Sequence, residues 1–182
     1  MIKHKLALLW ALGTGFAFSA IASETLVKFS GGIGVQPVSS VSGTATNPPT
    51  NSIFPEVTRN IVRSVNPAGQ IWVIKSLKAS VGFDGHIKVR GKGLLLGGGN
   101  NIGLNAGASV NATLICEAAA PFTLHSTLTG VPLAPDGDFR IDDVLVPPVP
   151  AVCASPVLLI RNAANGGWFA AGIQDPGGDH DD

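Results

Sequence analysis

From Glu24 onward, apolar and polar residues alternate in long stretches, the pattern of pleated strands with one face turned inward. Between Gly69 and Leu96, the apolar Ile71, Val73, Leu77, Ala79 and Val81 alternate with more polar neighbours. Ile87 and Val89 then alternate with Lys88, Arg90 and Lys92. Phe83-Asp84-Gly85 separates the two runs. A two-residue turn at Asp84-Gly85 would set Val81 opposite Lys88 and Ala79 opposite Arg90, mixing apolar and charged groups on each face. A three-residue loop sets Val81 opposite Ile87 and Ala79 opposite Val89 instead. It needs one left-handed residue, which Gly85 supplies at no steric cost. The spacing therefore predicts the three-residue loop, with Lys78 facing Arg90.

The same reading covers the rest of the chain. Glu24 to Ser30 reads as a first strand. Gly31 to Pro55 is rich in Gly, Ser, Thr, Asn and Pro, which predicts a long loop at 31–55. Val57, Ile61 and Val65 suggest a weak strand, and Gly97 to Asn101 a turn. Val110, Ala112, Leu114 and Cys116 share one strand face, which puts the Cys116 thiol on the buried side. Phe122, Leu124 and Leu128 mark another strand. Pro135-Asp136-Gly137-Asp138 turns the chain before Phe139 and Ile141. Pro147 to Pro150 stops the ladder. Val157 to Ile160 is apolar on both faces, as a central strand is, and Asn165-Gly166-Gly167 turns it into Trp168 to Ile173. No stretch of mature chain repeats apolar groups at helical spacing. Roughly eight short strands with frequent turns predict an all-β fold, an antiparallel Greek-key sandwich of immunoglobulin-like kind, with a small β-barrel as the alternative.

The first residues follow a different rule. Met1 to Lys5 is basic, Leu6 to Ile21 is apolar, and Ala20-Ile21-Ala22 has the small-x-small form of a cleavage site. The apolar stretch, interrupted by Gly13 and Gly15, falls short of the roughly 20 residues that cross a bilayer. Residues 1–22 are therefore expected to be a signal peptide, leaving a single domain at 23–173, an acidic disordered tail at 174–182 and no membrane span. The expected location is secreted or periplasmic.

Composition narrows the function classes. The 182 residues carry 12 Lys+Arg and 12 Asp+Glu, are 45% hydrophobic and only 13% charged. Such a chain has enough apolar surface for a core, and it lacks the positive balance of a nucleic-acid binder. Without the leader, ten bases face twelve acids, and four of those acids (Asp175, Asp179, Asp181, Asp182) fall in the last eight residues.

Export also sets how the two cysteines are read. Cys116 and Cys153 are expected to pair as a disulfide, because an oxidising compartment favours the bond over a catalytic thiol. His86, His125 and His180 are isolated and form no metal-ligand spacing. Asp136, Asp138, Asp142 and Asp143 lack the calcium-hand pattern, and turn capping accounts for the first two. Gly91-Lys92-Gly93 departs from a phosphate loop at Gly93, and no Gly-x-Ser-x-Gly elbow occurs. Asn111-Ala112-Thr113 matches a glycosylation acceptor. No catalytic residue, cofactor or metal is assigned. One constellation has geometric support: Lys78, Lys88, Arg90 and Lys92 share an exposed face, suited either to plain solvation or to an anionic surface polymer.

The runs Gly137 to Asp143, Pro156 to Asn162 and Trp168 to Ile173, with Cys153 between the first two, resemble uncharacterised small secreted bacterial proteins, over about Val57 to Ile173. No activity attaches to that group, so the resemblance implies export and carries over no functional residue. The expected function is that of an exported non-enzymatic binding protein, associated with the cell envelope or an extracellular partner. The alternative is a secreted hydrolase or small-ligand binder built around His125 with Asp142 or Asp143.

Overall fold

The structure, a computed structural model, describes residues 24–36, 60–98 and 101–177. The expected signal peptide, residues 37–55 of the expected loop, Val57, and residues 178–182 of the expected tail lie outside the described residues. Eleven strands follow in chain order: β1 (Thr25–Gly34), β2 (Trp72–Val73), β3 (Ser76–Gly82), β4 (His86–Lys92), β5 (Leu95–Leu96), β6 (Ser109–Ile115), β7 (His125–Ser126), β8 (Val131–Pro132), β9 (Phe139–Val144), β10 (Val157–Asn162) and β11 (Trp168–Asp175). Their pairings with one another are all antiparallel, and there is no helix among the described residues.

Nine of the strands form one sheet in the order β7-β6-β10-β11-β1-β3-β4-β9, with β8 beside β6; β2 and β5 pair separately. The two ends of this order meet. Ser126 in β7 and Val146, just past β9, exchange backbone hydrogen bonds of 2.9 Å in both directions. The expected immunoglobulin-like sandwich is thus not the arrangement seen. A single sheet curls almost into a barrel, closer to the alternative. Bulges supply the curvature: the register shifts twice along β1, between Thr25 and Val27 and between Phe29 and Gly32, and once between β10 and β11. An extra residue on one strand bends the ladder and increases its twist.

The β3–β4 hairpin has the predicted register. Val81 pairs with Ile87, Ala79 with Val89 and Lys78 with Arg90. Gly85 sits at φ +79°, and its N–H donates to the Gly82 carbonyl at 3.0 Å. A Cβ on Gly85 would meet only ordinary contacts, the nearest at 3.7 Å. Gly85→Ala is therefore expected to lower stability through backbone strain alone, by roughly 1–2 kcal/mol in urea unfolding. An unchanged midpoint would contradict this loop geometry.

Alternation fills one interior. Leu77, Ala79, Val81, Ile87 and Val89 are buried with Phe29, Ile141, Leu114, Leu158 and Ile160 in one core cluster, while Lys78, Lys88, Arg90 and Lys92 are exposed. β10 lies between β6 and β11, and Leu158, Leu159 and Ile160 are all buried, so both faces of this strand are covered. Cys116 and Cys153 form a disulfide joining the end of β6 to the segment before β10.

Three expectations change. The loop expected from Gly31 begins later, because Gly31 to Gly34 continue β1 against β11. The glycines there are not turn residues. A Cβ on Gly32 would lie 2.9 Å from Leu77 Cβ, and one on Gly34 2.0 Å from the Trp72 carbonyl oxygen, so they permit close strand approach. The tail expected from residue 174 likewise starts later, since Gln174 and Asp175 pair with Phe29 and Lys28. Finally, the strand expected over Phe122 to Leu128 shrinks to His125–Ser126, with Leu128 exposed. β7 and β8 pair with different ends of the same β6 edge, and the chain between them loops outward.

Candidate functional site

Cross-strand register, rather than sequence proximity, builds the main surface feature. Lys28 in β1 pairs with Ser80, Ser80 with Lys88, and Lys88 with Asp142 in β9. The neighbouring row on the same face runs Ser30, Lys78, Arg90, Arg140. These side chains line a shallow groove of about 460 Å³, with Asp175 at its β11 side.

The groove is basic. Lys28, Lys78, Lys88, Arg90 and Arg140 are exposed, and none has a carboxylate within ion-pair distance among the described residues. Asp142 is held by His86 Nε2 on the next strand. Three cations in direct succession, Lys78, Arg90 and Arg140, repel one another, since like charges facing across strands destabilise the pair. A bound anion relieves that repulsion. Each guanidinium offers a planar fork of donors that fits phosphate, sulfate or carboxylate oxygens, and Lys supplies a compact charge beside it.

Of the four cations singled out from sequence, Lys78, Lys88 and Arg90 line the groove, whereas Lys92 is exposed one step further along β4. Sequence reasoning missed Lys28 and Arg140. The alternation of each strand marks both as outward-facing: Lys28 lies between Val27 and Phe29, and Arg140 between Phe139 and Ile141. Strand order, which brings them beside β3 and β4, was the absent information.

His125 makes no hydrogen bond or ion pair with Asp142 or Asp143. His125 is 4% exposed, and its Nδ1 donates to the Pro147 carbonyl at 2.8 Å. No carboxylate lies within ion-pair distance of it among the described residues. Asp142 faces His86, and Asp143 accepts from the Val144 N–H at 2.8 Å. His125 faces inward because it pairs with Leu114, whose side chain is fully buried.

Other polar groups serve the fold. Asp136 accepts from the Asp138 N–H, and Asp138 from the Gly93 N–H, so both cap turns as expected. The Thr123 backbone N–H holds the Glu117 carboxyl below its usual range. Partial burial lowers the Arg161 pKa; its Nε donates to the Gly166 carbonyl at 2.7 Å and its Nη1 to Thr113 Oγ1 at 3.3 Å. Thr113 is fully buried within β6, so the Asn111-Ala112-Thr113 acceptor is closed to a glycosylating enzyme in the folded chain. A second cavity of about 520 Å³, near the stacked Trp72 and Phe169 rings, is lined by neutral side chains including Gln70, Asn162 and Asn165. It offers hydrogen bonds but no titratable group.

Comparison with protein-family models, with curated proteins and with solved structures gives no match to this chain.

Proposed function

We propose that this chain is an exported bacterial protein without enzymatic activity that binds an anionic polymer of the cell envelope or its surroundings through the groove on β1, β3, β4 and β9. The observation that carries the reading is the row Lys78–Arg90–Arg140, three adjacent exposed cations with no acid among them. Cations about 4.8 Å apart from strand to strand along one row suit a flexible chain with repeated phosphate or sulfate groups better than a single small anion. The disulfide fits an oxidising, extracytoplasmic setting.

Long-chain polyphosphate serves as the probe. The mature protein is expected to bind it in low salt and to lose affinity steeply as ionic strength rises from about 50 to about 500 mM, as exposed charges become screened. Lys78→Glu/Arg90→Glu/Arg140→Glu should weaken binding by about 100-fold or more, since each reversal replaces attraction with repulsion. Lys75→Glu, exposed outside the groove, should leave it unchanged. Absence of binding in low salt, or equal binding by the triple variant, would refute the reading.

A further inference from the structure

The cavity beside the Trp72–Phe169 stack has a size and a lining unlike those of the groove. Its volume of about 520 Å³ falls in the range of small-molecule sites. Three segments wall it: Gly69 and Gln70 before β2, Gly107 to Ser109 entering β6, and the turn between β10 and β11. Backbone bonds fix that turn. The Gly166 N–H donates to the Asn162 carbonyl at 2.8 Å, and the Ala163 N–H to the Ser109 carbonyl at 2.9 Å. Gly69, Gly107 and Ala164 carry little or no side chain, so the space stays open.

Two amides on the turn are already oriented. Asn162 Oδ1 accepts the Ala164 N–H at 2.8 Å, and Asn165 Oδ1 accepts the Gly167 N–H at 3.1 Å. Each amide spends its oxygen on the turn, while its Nδ2 donors have no partner among the described residues. Fixed donors spare a ligand the entropy of ordering side chains.

We propose that this cavity binds an uncharged sugar, with Asn162 and Asn165 donating to its hydroxyl or acetamido oxygens. Its C–H groups would pack against Trp72 and Phe169, which line the same space. The lining selects this class by exclusion. An anion meets no cation there and a cation no carboxylate, so a charged ligand loses its hydration without compensation. A wholly apolar ligand would dry the amide donors and leave them unpaired. No residue lines both this cavity and the basic groove, so the inference does not depend on the polyanion reading.

The test titrates isotopically labelled mature protein with maltotriose and, separately, with tri-N-acetylchitotriose, followed by magnetic resonance of the side-chain amides. At least one sugar is expected to shift the signals of Gln70, Asn162 and Asn165. The signal of Gln174, which pairs with Phe29 at the far end of β11, should stay in place. Maltotriose alone would assign the hydroxyls as acceptors, and the chitotriose alone the acetamido groups. Gly69→Trp and Ala164→Trp, two exposed positions on the lining, should each weaken binding by about tenfold or more by filling the space. A Cβ on Gly69 meets nothing within 4 Å, so that variant is expected to fold. No shift with either sugar overturns the proposal, as does parental affinity in both Trp variants. Polyphosphate that moves the same three signals as far as the sugars do would overturn the selection for an uncharged ligand.

Discussion

Reducing the Cys116–Cys153 bond is expected to lower the melting temperature by roughly 8–16 °C. The cross-link closes a loop of 37 positions. In the chain-entropy account, freeing a loop of that size stabilises the unfolded state by about 4 kcal/mol. For a domain of this length, each kcal/mol shifts the midpoint by about 2–4 °C. The structure explains why little else compensates. Val152 and the residues around it are largely exposed, so the stretch between Val146 and Val157 is tied to the barrel by few buried side chains. Its fixed points include the disulfide and the Ser155 N–H bond to the Cys116 carbonyl at 3.1 Å. Thermal unfolding with and without reductant measures the effect, and Cys116→Ala/Cys153→Ala should reproduce it. A shift under about 2 °C would show that the bond constrains little.

Gly34→Ala should be about as damaging, by the opposite route. The new methyl would sit 2.0 Å from the Trp72 carbonyl oxygen, 2.7 Å from its carbonyl carbon and 2.9 Å from Val73 Cα. All three are backbone atoms, so no rotamer change relieves the clash. β2 would have to move away from β1, breaking the Trp72 N–H bond to the Val35 carbonyl at 3.2 Å and disturbing the ring stack of Trp72 on Phe169 at 3.9 Å. Overpacking that a core cannot absorb costs on the order of 3 kcal/mol or more. Gly69→Ala provides the control: a Cβ there meets nothing within 4 Å, and its effect should stay within about 0.5 kcal/mol. Denaturant midpoints of the two variants decide the matter. Equal stabilities would mean that β1 and β2 are not packed this closely.

The β3–β4 loop was legible because one register segregates apolar from charged side chains and the other mixes them. The disulfide was legible from compartment and count, and Cys116 was placed on the buried face by the alternation from Val110. Gly31 to Gly34 were misread because glycine has two uses with one composition: it permits a turn, and it also permits backbones to touch. The inward facing of His125 was not legible, because its segment is too short to show a period and only the partner Leu114 turns its ring inward.

By itself the sequence determined most of the longer pleated segments, which side of those faces the core, and the cysteine pairing, because alternation and turn chemistry act within a few residues. Only the tertiary structure decided that the sheet closes on itself through Ser126 and Val146, that Lys28 and Arg140 flank Lys78 and Arg90, and that Asp142 meets His86 rather than His125. Those outcomes depend on strand order and on bulges, which arise when distant segments compete for the same backbone donors and acceptors. No local spacing records the winner of that competition.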